Sequence, residues 1–134
     1  MPLAGEVVAS DDRRGMVLRR TGGLLAIGYR VRGLYPNDTW SGKQVAYTRL
    51  RCRGGAVTAE LASDPHLFAG PQTVRAAGRS VTFSPANAAS LTVPLRPRDG
   101  ECRVVFTVSP TAVPGKGDQR VLGVHFLAFR YTAP

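Results

Sequence analysis

The sequence predicts an all-β fold, an antiparallel β-sandwich of jelly-roll or Greek-key type with about eight or more strands. Three observations carry that expectation. Apolar and polar residues alternate with a period of two along most runs, and helical spacing hardly occurs. The runs are of strand length. Fifteen glycines and ten prolines fall between them as turn punctuation instead of collecting in one biased stretch. A closed barrel is the competing arrangement. With 134 residues the chain fits one domain that can bury a core without staples, and neither a repeat nor a linker divides it.

The elements follow in order. The first dozen residues, ending in Asp11-Asp12-Arg13-Arg14-Gly15, read as one strand and a charged turn, and further turn signals stand at Gly22-Gly23 and from Gly33 to Asn37. Val45, Tyr47, Arg49 and Arg51 alternate with Ala46, Thr48, Leu50 and Cys52, so one face can be buried while the other carries charge. After Gly54-Gly55, Val57, Ala59 and Leu61 oppose Thr58 and Glu60 in the same way. Ser63 to Gly70 and Ala86 to Ser90 tolerate a helix, but only for a turn or two. Val81 and Phe83, then Leu91, Val93 and Leu95, then Cys102, Val104, Phe106 and Val108 continue the alternation. Turns at Pro85-Ala86-Asn87, Pro97-Arg98-Asp99-Gly100 and Pro114 to Asp118 separate them. The last run, Val121 to Tyr131, is apolar on both faces, which predicts a central strand covered on both sides.

A net charge of +9 invites a nucleic-acid reading, because clustered cations neutralise phosphates and release counterions. The arrangement argues against it. All the basic residues but Lys43 and Lys116 are arginines, and they are scattered along the chain as solvated strand faces would have them. Attraction to an anionic lipid surface or polymer fits such scatter better. No window holds eighteen consecutive apolar residues, and the start lacks the regions of a signal peptide, so a position outside the cytoplasm would need something this sequence does not carry.

Cys52 and Cys102 each end an alternating run on the side shared with apolar neighbours, so both are expected to face the interior. Two readings stay open, a bridge across paired or facing strands, which requires an oxidising compartment, and two separate buried thiols. Two cysteines without matched histidines do not make a zinc site.

No catalytic constellation stands out, and no cofactor is implied. There is no Gly-x-Ser-x-Gly elbow, and the aspartates sit in turn contexts where the side chain serves the backbone. His125 lies inside the long apolar run and reads as a satisfied core or edge histidine, whereas His66, in a turn beside Asp64, is placed to contact a ligand.

The segment Gly33 to Gly42 is the best binding candidate. It sets Tyr35 and the single tryptophan, Trp40, beside Asn37 and Asp38. Aromatic faces pack on the C–H faces of a sugar while amide and carboxylate groups take its hydroxyls. The competing reading has Trp40 plugging one end of the sandwich and Asp38 capping a turn. Asp118 and Arg120 divide the same way, between holding ligand hydroxyls and ordering their own loop, with Arg120 paired to a turn carboxylate and Asp118 accepting backbone N–H bonds.

Leu34-Tyr35-Pro36 to Trp40-Ser41-Gly42, Val93-Pro94-Leu95, Val105-Phe106-Thr107-Val108-Ser109-Pro110, Pro114, Asp118-x-Arg120 and Leu122-Gly123-Val124 follow one another in that order. This order resembles the accessory, C-terminal β-sandwich domains of bacterial membrane-associated glycosyltransferases that build surface polysaccharide, over roughly residues 30–131. The resemblance implies a domain cut from a longer chain, lying on the extracytoplasmic side of the membrane, with the cytoplasm as the alternative. It implies no catalysis in this domain, since the motifs of the parent enzymes are missing. The implied role is to contact carbohydrate or support the catalytic region; the candidate contacts read from the residues themselves are Tyr35, Asn37, Asp38, Trp40, His66, Asp118 and Arg120. The alternative is a structural module that docks on an enzyme or an anionic surface.

Overall fold

A computed structural model describes residues 16–21, 24–36 and 38–134, with side chains from residue 28 onward. The strand and charged turn expected in the first dozen residues, the Gly22-Gly23 turn and the candidate contact Asn37 lie outside the described residues.

The fold is an all-β antiparallel sandwich. The described strands are β1 (Met16–Thr21), β2 (Leu24–Leu34), β3 (Ser41–Arg49), β4 (Ala56–Ala62), β5 (Gln72–Ala76), β6 (Arg79–Phe83), β7 (Ala89–Pro94), β8 (Pro97–Arg98), β9 (Glu101–Ser109) and β10 (His125–Thr132). The larger sheet runs β1-β2-β3-β9-β5-β6, with β8 attached to β9, and the smaller runs β10-β4-β7. From β3 onward the chain crosses between sheets at every connection except the β5–β6 and β8–β9 hairpins.

Alternation decides which face goes inside. On β9, Cys102, Val104, Phe106 and Val108 are buried while Glu101 and Arg103 are exposed, and on β4 Val57, Ala59 and Leu61 are fully buried. The two faces meet in an aromatic centre. Phe106 lies 5.6 Å from Phe126 and 6.0 Å from Phe129, and Tyr47 stacks on Phe129 at 5.4 Å. Each such ring contributes about 1.5–3 kcal/mol by leaving water. Ser63–Gly70 forms turns and Ala86–Ser90 runs from a turn into β7, and no helix occurs among the described residues.

The tail differs from expectation. Only His125–Thr132 is a strand, and it lies at an edge of the smaller sheet, where β4 is the one strand it pairs with and Trp40 bridges its first residue from outside the sheet. Its two-sided apolar character comes from a bulge between Phe126 and Ala128, which interrupts the alternation so that Ala128 and Phe129 are both buried while Leu127 is 42% exposed. The preceding Leu122 and Val124 are buried because their loop tucks against the sandwich end, outside any strand.

Candidate functional site

Three loops meet at one end of the sandwich: 35–40, 63–71 and 110–124. Backbone bonds hold the first to the third. Ser41 N–H donates to Val124 O at 2.9 Å, Gly123 N–H to Ser41 O at 2.8 Å and Phe126 N–H to Thr39 O at 2.9 Å. Gly123 is required by space, since a Cβ there would stand 2.5 Å from Gly42 O and 2.6 Å from Ser41 Oγ. The third loop closes on itself through paired bonds between Ala112 and Leu122.

Trp40 fills the space between these loops. It is 8% exposed and packs with Phe68 and Leu122, which are 7% and 2% exposed, while its ring centroid lies 3.8 Å from that of His125. The indole therefore offers no open face to a sugar, and its burial matches the end-plug alternative. Tyr35 packs at the rim of the same cluster, half-buried, and its hydroxyl donates to Val121 O at 2.8 Å.

Arg120 joins two loops. Its Nε and Nη2 donate to the two carboxylate oxygens of Asp118 at 2.9 and 2.8 Å, and its Nη1 donates to Asp38 Oδ2 at 3.1 Å. This is the fork geometry that a guanidinium offers and an ammonium does not. Asp38 Oδ1 accepts the N–H groups of Thr39 at 2.7 Å and Trp40 at 3.2 Å, and Asp118 Oδ1 accepts Arg120 N–H at 3.1 Å. Partial burial raises the Asp38 pKa, but the bonds from Trp40, Arg120 and Thr39 outweigh it and leave the carboxyl below its ordinary value. The Arg120 side chain and then its N–H hold Asp118 down at about 2. The guanidinium also lies 5.3 Å from the Tyr35 ring centroid.

His125 is half-buried, and its Nδ1 shares a 2.6 Å hydrogen bond with the Thr39 hydroxyl. Desolvation pushes its pKa below the ordinary value, against the opposing charges of Asp38 and Asp64. His66 is exposed, on the loop whose Leu67 and Phe68 pack at the tryptophan, and its N–H donates to Asp64 Oδ1 at 2.8 Å. Of the contact residues expected from the sequence, Tyr35, Asp38, Trp40, Asp118 and Arg120 thus share one network, with His66 on the adjoining loop.

Sequence reasoning missed Gln72. It is 1% exposed, its Nε2 donates to Pro110 O and Gly123 O at 2.9 Å each, and its Oε1 accepts the Ser63 hydroxyl. A single glutamine opening a strand carries no signal of such a role.

At the opposite end Cys52 and Cys102 are bridged, with Cα atoms 5.6 Å apart. Among the described residues no group of His, Cys, Asp or Glu could hold a metal ion, and no helix is long and apolar enough to cross a membrane. No protein-family model matches the chain, and comparison with curated proteins returns no match.

Proposed function

We propose that the chain is a non-catalytic accessory domain of a bacterial glycosyltransferase, which contacts carbohydrate or supports the catalytic region from the extracytoplasmic side of the membrane. The observation that carries this reading is the gathering of partly exposed polar groups on a cross-bonded loop end. Arg120, Asp118 and Asp38 keep 38%, 34% and 30% of their side chains open to solvent while being held in one network beside the Tyr35 ring. Fixed donors and acceptors next to an aromatic edge suit sugar hydroxyls, and prior ordering lowers the cost of binding. The bridged cysteines support an oxidising compartment.

A glycan array probed with the chain and with a His66→Ala/Arg120→Ala variant tests the reading, with folding of both checked by circular dichroism. Selective binding that disappears in the folded variant is the expected result. No binding to any glycan would leave the second reading, a module that docks on an enzyme or an anionic surface. That reading is favoured by the exposed arginines at 51, 53, 96 and 98 around the disulfide, and it predicts association that weakens with salt.

A further inference from the structure

The described part of the larger sheet's outer face gathers arginines from several strands. Register places Arg30 and Arg103 opposite Thr48 from either side, Arg32 opposite Ala46, Arg75 opposite Thr107 and Arg98 opposite Glu101. Paired residues share a face, and this one points away from the core, since Val104, Phe106 and Val74 between them are buried. Arg32, Arg75, Arg98 and Arg103 are exposed, and none has a carboxylate partner among the described residues. With strands about 4.8 Å apart and about 6.8 Å between same-face residues, neighbouring arginine stems stand roughly 7–15 Å apart.

Two shallow clefts flank β9 on this side. One of about 600 Å³ is lined by Arg96, Arg98 and Arg103 together with the carboxylates Asp99 and Glu101, and the other, of about 350 Å³, by Arg75, Arg79, Ser80 and Thr107. The result is a track in which arginines outnumber carboxylates, with Asp99 and Glu101 at its Arg98 end and hydroxyls beside Arg75. We propose that this track binds an acidic polysaccharide, with Arg103 and Arg75 as its central contacts. The proposal rests on the carbohydrate reading above and assigns it a charge class and a second surface. Guanidinium forks pair with the carboxylates of uronate units, while Ser80 and Thr107 take ring hydroxyls. Among the described residues this face offers no exposed aromatic ring on which nucleic-acid bases would stack and no large exposed apolar side chain to anchor in a bilayer, which favours a glycan over a single strand or a membrane.

Binding of the full chain to polygalacturonate at low salt tests it, beside neutral dextran, a thymidine oligonucleotide and vesicles containing phosphatidylglycerol. Polygalacturonate should bind and dextran should not. Arg75→Gln or Arg103→Gln should each weaken binding about twofold to fivefold, and the triple Arg32→Gln/Arg75→Gln/Arg103→Gln variant should weaken it about tenfold or more. Arg130→Gln, which makes the same charge change on the other sheet, should have less effect than either single variant. Equal losses from Arg130→Gln, or tighter binding to the oligonucleotide or vesicles, would overturn the proposal. Glycan binding that survives the triple variant would sink this track while sparing the carbohydrate reading, and no binding to any glycan would sink both.

Discussion

The two ends of the sandwich are closed by different chemistry. At one, the Cys52–Cys102 bridge ties β9 to the loop after β3, Cys52 N–H donates to Gly100 O at 2.8 Å, and the Arg49 guanidinium lies 3.6 Å from the Tyr131 ring centroid. At the other no covalent bond exists between the loops. A buried tryptophan, one guanidinium and one glutamine amide hold three of them together. The difference teaches that a bond made once can tolerate exposed, charged surroundings, whereas an end closed by packing must exclude water from its centre and satisfy each buried polar group. The first end should respond to reductant, the second to volume and to acid.

Removing the plug should have the largest effect. Trp40→Ala is expected to cost about 3–5 kcal/mol in urea unfolding, because it leaves a cavity among Phe68, Leu122 and His125; a variant as stable as the parent would contradict the packing account. Cutting the other end comes next. With the cysteines 50 residues apart, Cys52→Ala/Cys102→Ala should lose about 2–4 kcal/mol, and dithiothreitol should reproduce the loss in the parent chain only. Gly123→Ala should cost about 1–3 kcal/mol by pushing Gly42 O and Ser41 Oγ away from residue 123, which amide exchange of Val124, bonded to that hydroxyl, would detect as faster opening.

Acid gives the smallest effect and the sharpest contrast. Asp118 is held at about 2 in the folded chain against an ordinary 3.8, and Asp38 is lowered too. The folded state therefore gains from their ionisation, fully above the ordinary value and progressively less as pH falls through the folded one. His125 is also lowered, so its neutral form stabilises the fold above its ordinary 6.5 and that contribution shrinks below it. The melting temperature of Arg120→Ala should fall below that of the parent at pH 6 and approach it near pH 2. A gap that does not narrow with pH would show that Arg120 acts by packing alone.

Much of the fold was legible because alternation and turn chemistry agree. The β8–β9 hairpin shows why: Asp99 and Gly100 both have positive φ, at 53° and 80°, and Asp-Gly is a strong signal for that turn. Between β5 and β6 the same geometry falls on Ala77 and Gly78, at 50° and 78°, and Ala announces nothing of the kind, so the hairpin went unread. The tail was misplaced because a bulge imitates two-sided burial. At the loop end the candidate residues were recognisable by type, but the partner of Arg120 was open to the sequence only in kind. A turn carboxylate was foreseeable; that it would be both Asp118, two residues away, and Asp38, 82 residues away, depends on the crossovers between sheets. Burial of Trp40 depends equally on Phe68 and Leu122, which neighbour it only in space.

Gln72 sets a rule for any lineage that keeps this architecture. Two backbone carbonyls and a hydroxyl converge where only one side chain can answer them, and the answer must contain two protons to give and a lone pair to receive. Glutamate returns oxygens to oxygens, lysine and arginine have nothing to accept with, and asparagine falls one methylene short. The position should accordingly stay fixed through drift in distant descendants, and an alignment would single it out as though it performed chemistry. Its invariance would instead record wiring, a constraint imposed by three strangers in the chain that share a single amide.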